Sequence, residues 1–162
     1  MINLKEDEYF SIGLLSMDNL NLPTYPFRFR TSGQSKEIFD TLRKKYVSLT
    51  PEEWVRQHFI NYLSEELKYP KGFISIEKGL SFNDRKKRTD IVVHDSYGKP
   101  WMIVECKAPQ VKLTENAFYQ AASYHLKLEV KYLVITNGLK HFCCKFENEK
   151  FVFTDSFPGF EL

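Results

Sequence analysis

Three residues in the middle of this 162-residue sequence have the types and spacing for chemistry: Asp90, Glu105 and Lys107. They lie in RTDIVVHDSYGKPWMIVECKAP, residues 88–109, where charged groups flank two apolar, strand-like runs, IVV and WMIV. An antiparallel hairpin with its turn centred between Tyr97 and Gly98 pairs residues whose numbers sum to 195, Gly98 supplying the positive φ that a tight turn needs. On that register Asp90 stands opposite Glu105, and directly opposed residues have Cβ atoms only about 4.5–5.5 Å apart. Strand alternation puts Trp101, Ile103, Glu105 and Lys107 on one face and Met102, Val104 and Cys106 on the other. Facing carboxylates at the ends of apolar runs repel one another and lose hydration, unless a cation sits with them. Mg²⁺ meets that need: it is held by one or two carboxylates, keeps several waters and accepts phosphate oxygens, which suits phosphodiester hydrolysis, with Mn²⁺ as a substitute. Lys107 beside such an ion could position the attacking water and stabilise the charge that develops at phosphorus. The same spacing also allows an ion pair between Glu105 and Lys107, with Asp90 a strand-edge acid, and spacing alone leaves both readings open.

The elements that must position these groups follow from local signals. Thr50-Pro51-Glu52-Glu53 supplies an N-cap, a proline at the first helical position and a capping-box acid, and Val55, Phe59, Leu63 and Leu67 continue as one apolar stripe. A helix is expected over 51–68, stopped by Tyr69-Pro70. Strand-like segments follow at 72–77, 89–94 and 101–107, then a second helix over about 114–127. Two further apolar runs, 130–136 and 141–146, flank the turn signal Asn137-Gly138 and form a hairpin. The order implies an α/β fold, one mixed sheet with helices on its faces. Between the first two strands, Arg85, Lys86, Lys87 and Arg88 read as a charged loop that either is solvated or contacts phosphates next to Asp90. Residues 1–46 read as an N-terminal arm on the core, with Arg28 and Arg30 on an alternating strand, and 47–155 as the main domain. The tail, 156–162, ends the aromatic stretch FTDSFPGFEL, which could dock on another chain or on its own core.

Composition sets the outer bounds. Of the residues, 43% are hydrophobic and 27% charged, which fits one globular domain and excludes disordered and collagen-like classes. The formal charge of +2 supplies no global field toward a polyanion, so nucleic-acid binding must come from a local patch. Apolar stretches such as Trp101–Val104 are far shorter than the roughly 18 residues of a membrane span, and MINLKEDEYF has three acids where a signal peptide needs a basic start. A cytoplasmic protein is expected. Cys106, Cys143 and Cys144 match neither a disulfide framework nor a zinc site, so reduced, structural thiols are expected. No GxxxxGK[ST] phosphate loop is present, so these residues alone cannot drive DNA translocation.

An acid on one strand, a turn, and an apolar run ending in Glu-x-Lys resembles the PD-(D/E)xK nuclease superfamily, with Thr89 where the motif has proline. More closely, LTPEEWVRQHFINYL, RTDIVV, VECKAP, the Gln120-x-x-x-Tyr124 pair and VITNGLKHF resemble, in order, the N-terminal nuclease domain of type I restriction enzyme R subunits. The resemblance covers about residues 40–147. It implies a restriction-endonuclease-like fold and Mg²⁺-dependent cleavage of double-stranded DNA, with Asp90 and Glu105 as metal ligands and Lys107 as the catalytic lysine. Gln120 and Tyr124 take the place of the family's Gln-x-x-x-Tyr motif near the active site; four apart on a helix, they could both reach one phosphate or the lysine. The superfamily often adds an acid from the first helix to the metal shell. The resemblance makes Glu53 that candidate, with Arg56 and Gln57 beside it either contacting phosphate or solvated. Other restriction-complex subunits or a second copy are the expected partners, and the alternative is a non-catalytic DNA-binding or partner-docking module with the same fold.

Overall fold

The computed structural model describes residues 19–76, 79–82, 85–125 and 130–160. The first three strands, β1 (Phe29–Ser32), β2 (Ser35–Asp40) and β3 (Lys45–Ser48), make an antiparallel meander of their own. Helix α1 (Pro51–Asn61) follows, extended by a π-helical turn over Tyr62–Glu66, and then come β4 (Ile74–Ile76), β5 (Gly79–Phe82) and β6 (Arg85–Arg88). The remainder is β7 (Ile91–His94), β8 (Pro100–Cys106), α2 (Glu115–His125), β9 (Tyr132–Thr136), β10 (His141–Glu147) and β11 (Lys150–Phe153). Six of these strands form one mixed sheet in the order β11-β10-β9-β8-β7-β4. β8 and β9 are parallel, joined by a crossover that contains α2, and every other neighbouring pair in that sheet is antiparallel.

One helix covers each face of this sheet. Val55, Phe59, Ile60 and Leu63 pack against Ile91, Val93, Met102, Val104 and Cys106, whereas Phe118 and Ala122 of α2 pack against Val92, Ile103 and Leu133. The split follows strand alternation along β7 and β8, and it is the α/β arrangement expected of a restriction-endonuclease-like fold. No helix among the described residues is long and apolar enough to cross a membrane.

Several boundaries differ from expectation. The first helix changes from α to π at Tyr62 and ends before residue 68, where Lys68 takes a φ of 64° and the Tyr69 N–H turns back to the Leu63 carbonyl. The expected arm contains the β1–β3 meander: Arg28 lies over the Phe39 ring, and Arg30 pairs with Glu37 and lies over Tyr46, so both arginines are held within the meander. Residues 85–88 form a strand, β6, paired with β5 from Gly79↔Arg88 to Phe82↔Arg85, rather than a loop. In the second hairpin the Asn137 N–H donates to the Lys140 carbonyl, which puts Gly138 and Leu139 at the turn, one position later than the Asn-Gly reading. The tail folds back on its own core: Phe157 sits against Phe59 and Tyr62, and the Tyr69 hydroxyl donates to the Pro158 carbonyl at 2.8 Å. β11 precedes it as an edge strand. All three cysteines are buried, free thiols.

Candidate active site

Residues at the ends of β7 and β8 build the site. The ladder pairs Ile91 with Val104, Val92 with Ile103 and Val93 with Met102, the sum of 195 expected for this hairpin, and a bulge between Val93 and His94 precedes the turn. Gly98 has a φ of 77°, and Asp95 closes the turn by accepting the Tyr97 and Lys99 N–H groups. One step beyond Ile91↔Val104, Asp90 reaches across: its Oδ2 accepts the Cys106 N–H at 2.7 Å, so the side chain occupies the position of a ladder bond beside Glu105. Glu105 is 7% exposed and pairs across β9 with Ile135. Lys107 lies just past β8, half-buried, held by its N–H to the Thr136 carbonyl at 2.8 Å. The structure thus brings Asp90, Glu105 and the Lys107 backbone to one corner of the sheet.

Helix α1 supplies the opposite wall. The Glu53 N–H donates to Thr50 Oγ1 at 3.0 Å, which is the cap expected from Thr50-Pro51. The reciprocal half of a capping box is not made, because Thr50 N–H donates to Ser48 and the Glu53 carboxylate turns inward. There it accepts Arg43 Nη2 at 2.6 Å and Gln57 Nε2 at 2.8 Å on one oxygen, and Arg56 Nη1 on the other. Asp40, fully buried, accepts Arg43 Nε at 2.6 Å and Gln57 Nε2 at 2.8 Å. Arg56 completes the chain, its Nη2 lying 2.8 Å from Asp90 Oδ1 and 3.0 Å from Glu52 Oε1.

The network decides between the two readings of Arg56 and Gln57 as far as solvation goes. Arg56 and Gln57 are not solvated, being 5% and 2% exposed, because the side of α1 that carries them packs inward against the meander and the end of β7. Each then needs internal partners, since a charge or amide without them would cost several kcal/mol in that setting. The Glu53 carboxylate is engaged by two guanidinium groups and an amide. Burial works against the charge on Arg56, but Glu53 and Asp90 outweigh it and push its pKa above the ordinary value. Burial, with Asp90 adding, raises the Cys106 thiol well above its usual range, so it is a neutral packing group and no nucleophile.

The remaining expected residues are placed by their backbone. Gln120 and Tyr124 lie one turn apart on α2, and Arg85, Lys86, Lys87 and Arg88 make up β6; their side chains fall outside the described residues. Among the described residues, no group of three or more His, Cys, Asp or Glu side chains is gathered as a metal cluster. Sequence reading missed Arg43, which pairs with Glu53, and Asp40, which holds both Arg43 and Gln57. The Asp-x-x-Arg and Glu-x-x-Arg spacings, 40–43 and 53–56, were the available signals.

The family described as type I restriction enzyme R protein N terminus matches residues 51–158. No curated protein matches this chain. Among solved structures, one described as a fragment of an HsdR subunit of a type I restriction enzyme from Vibrio vulnificus YJ016 matches at 20% identity with a TM-score of 0.36. That match covers 53% of this chain but 16% of the other, so the chain spans a small part of that protein's length. The family match takes in more than half of the chain and includes α1, the Asp90 to Lys107 corner and part of the tail. By that match the chain belongs to the type I restriction enzyme R protein N-terminal family.

Proposed function

We propose that the corner at Asp90, Glu105 and Lys107 is a Mg²⁺-dependent nuclease centre that hydrolyses phosphodiester bonds of double-stranded DNA. The observation that carries this reading is the β7–β8 register, which sets Asp90 beside Glu105 and ties it to β8 through the Cys106 N–H. Asp90 and Glu105 offer hard oxygen donors, and Asp90 already carries a cation in the form of the Arg56 guanidinium, so the donor set fits a divalent ion. Asp90 and Glu105 would hold that ion, which when bound polarises a phosphate oxygen and lowers the pKa of a coordinated water. The Cys106 N–H fixes the Asp90 carboxylate toward the end of β8. Lys107 lies one residue past β8 and supplies a cation for the charge that grows on the phosphate oxygens. Gln120 and Tyr124 orient the same phosphate, and Arg85, Lys86, Lys87 and Arg88 hold the flanking backbone.

Within this reading, cutting both strands calls for a second copy of the chain or for other restriction-complex subunits. The test is plasmid cleavage with Mg²⁺ or Mn²⁺. Glu105→Ala and Lys107→Ala are expected to lose at least about a hundredfold in rate, in line with removing an electrostatic group from a transition state. Cleavage unchanged in either variant would remove the assignment. A second reading, a DNA-binding module without turnover, is favoured by the Arg56–Asp90 pair and would show as salt-dependent DNA binding without nicking by the wild type.

A further inference from the structure

We infer that Arg56 is the counter-ion a divalent cation displaces from Asp90, so that metal binding and the Arg56–Asp90 ion pair exclude one another. The inference rests on the reading of Asp90 and Glu105 as metal ligands. Among the described residues, Arg56 touches the carboxylates of Glu52 and Glu53 on its own helix, four and three residues back, and that of Asp90 at 2.8 Å on another element. The two helical contacts tether the guanidinium at spacings that α-helix geometry maintains. The Asp90 contact joins separate elements, so it can be surrendered while the two helical contacts keep the guanidinium paired.

Each partner has a reason to be there. Before a metal arrives, Asp90 stands beside Glu105 at a largely buried corner, and the Arg56 guanidinium brings a positive charge to Asp90 that offsets repulsion between two such carboxylates. The arrangement of Asp90 also survives the exchange. Its Oδ2 is held separately by the Cys106 N–H at 2.7 Å, so loss of Arg56 from Oδ1 leaves the carboxylate aimed at the end of β8. A divalent ion on Oδ1 and a guanidinium on the same oxygen would be like charges within a few ångströms, a repulsion large enough to separate the two states. Arg56 is thus a positioning residue that keeps the site preformed and sets the metal concentration at which it fills.

Calorimetric titration of Mn²⁺ into the protein without DNA tests the exchange. Arg56→Gln is expected to bind Mn²⁺ on the order of tenfold more tightly than wild type, because the competing charge is gone. Arg56→Lys, which retains the charge, is expected to return affinity toward the wild-type value. Equal or weaker binding by a folded Arg56→Gln protein would overturn the inference. A second measurement needs no variant: titrating Mg²⁺ into wild type should shift the Arg56 guanidinium ¹⁵N resonances, and Mg²⁺ binding that leaves them unmoved would equally overturn it. Asp90→Asn and Glu105→Gln controls separate the two levels. If both bind Mn²⁺ as wild type does, the metal-site reading fails and takes this inference with it; if both lose binding while Arg56→Gln matches wild type, this inference alone fails.

Discussion

His58 offers a sharp test of how α1 is buried. It is 5% exposed, its Nδ1 lies 3.0 Å from the Trp54 carbonyl, and its ring lies 4.1 Å from Trp54 and 4.7 Å from Phe27 between centroids. Burial lowers its pKa from 6.5 to about 4, against the opposing pull of the Trp54 carbonyl. The folded pKa is depressed, so the unfolded chain binds the proton more readily. The contribution to stability is complete above pH 6.5 and is lost as pH falls toward and through 4. Linkage over those two pKa values gives a loss of about 2 kcal/mol between about pH 8 and pH 5 from this residue alone. Carboxylates titrate over the same range, so the clean quantity is a difference from His58→Phe, whose ring fills the same aromatic nest and carries no proton. Guanidinium chloride unfolding of both proteins at those two pH values supplies it. The stability difference between them should move by about 2 kcal/mol in favour of His58→Phe at the lower pH. A difference that is the same at both pH values would refute the buried, neutral imidazole.

Two glycines with nearly equal backbone angles should respond differently to alanine. At Gly98, with φ 77°, an added methyl would meet nothing within 4 Å, and the substitution should cost about 1 kcal/mol. At Gly138, with φ 81°, the methyl would fall 2.6 Å from Leu20 Cδ2, and the cost should be about twice as large. Thermal melts would separate the two variants by a few degrees, at about 2–4 °C per kcal/mol for a chain of this size. Arg43→Ala takes a guanidinium from both Asp40 and Glu53 and should destabilise by about 3 kcal/mol or more. Combining it with Glu53→Gln in a double-mutant cycle should recover part of that loss, and strict additivity would show that the contact carries no energy.

What could be read from the residues was local or periodic. The 195 register follows from Gly98 and from two apolar runs of fixed spacing, and the start of α1 follows from Thr50-Pro51, because turn and cap chemistry depends on a few neighbouring residues. The two-faced packing of β8 follows from alternation. The β1–β3 meander did not show, since its strands are short and mostly polar and its cohesion includes arginines lying over Phe39 and Tyr46. β6 was hidden because four consecutive cations look like a solvated loop when the strand that pairs with them is not in view. The site divides in the same way. Asp90 and Glu105 are related by a register that arithmetic can find, but Arg43 to Glu53 and Arg56 to Asp90 join elements through side chains. The capping-box reading of Glu53 explained its N–H while its carboxylate was engaged elsewhere.

The meander also bears on how this domain can be cut and recombined. The family match begins at Pro51, yet the carboxylate of Glu53 is closed by Arg43 and the amide of Gln57 by Asp40, both supplied from before that boundary. A fragment trimmed to the matched region would keep every proposed catalytic group and lose two of the charges that balance the helix behind them. A chimera that exchanged the first fifty residues for those of a relative would need to bring its own acid and arginine at the β2–β3 corner. The cooperative unit of this protein is therefore larger than its recognisable family segment, and the difference includes the charges of Asp40 and Arg43 as well as the packing of Leu20 and Phe27.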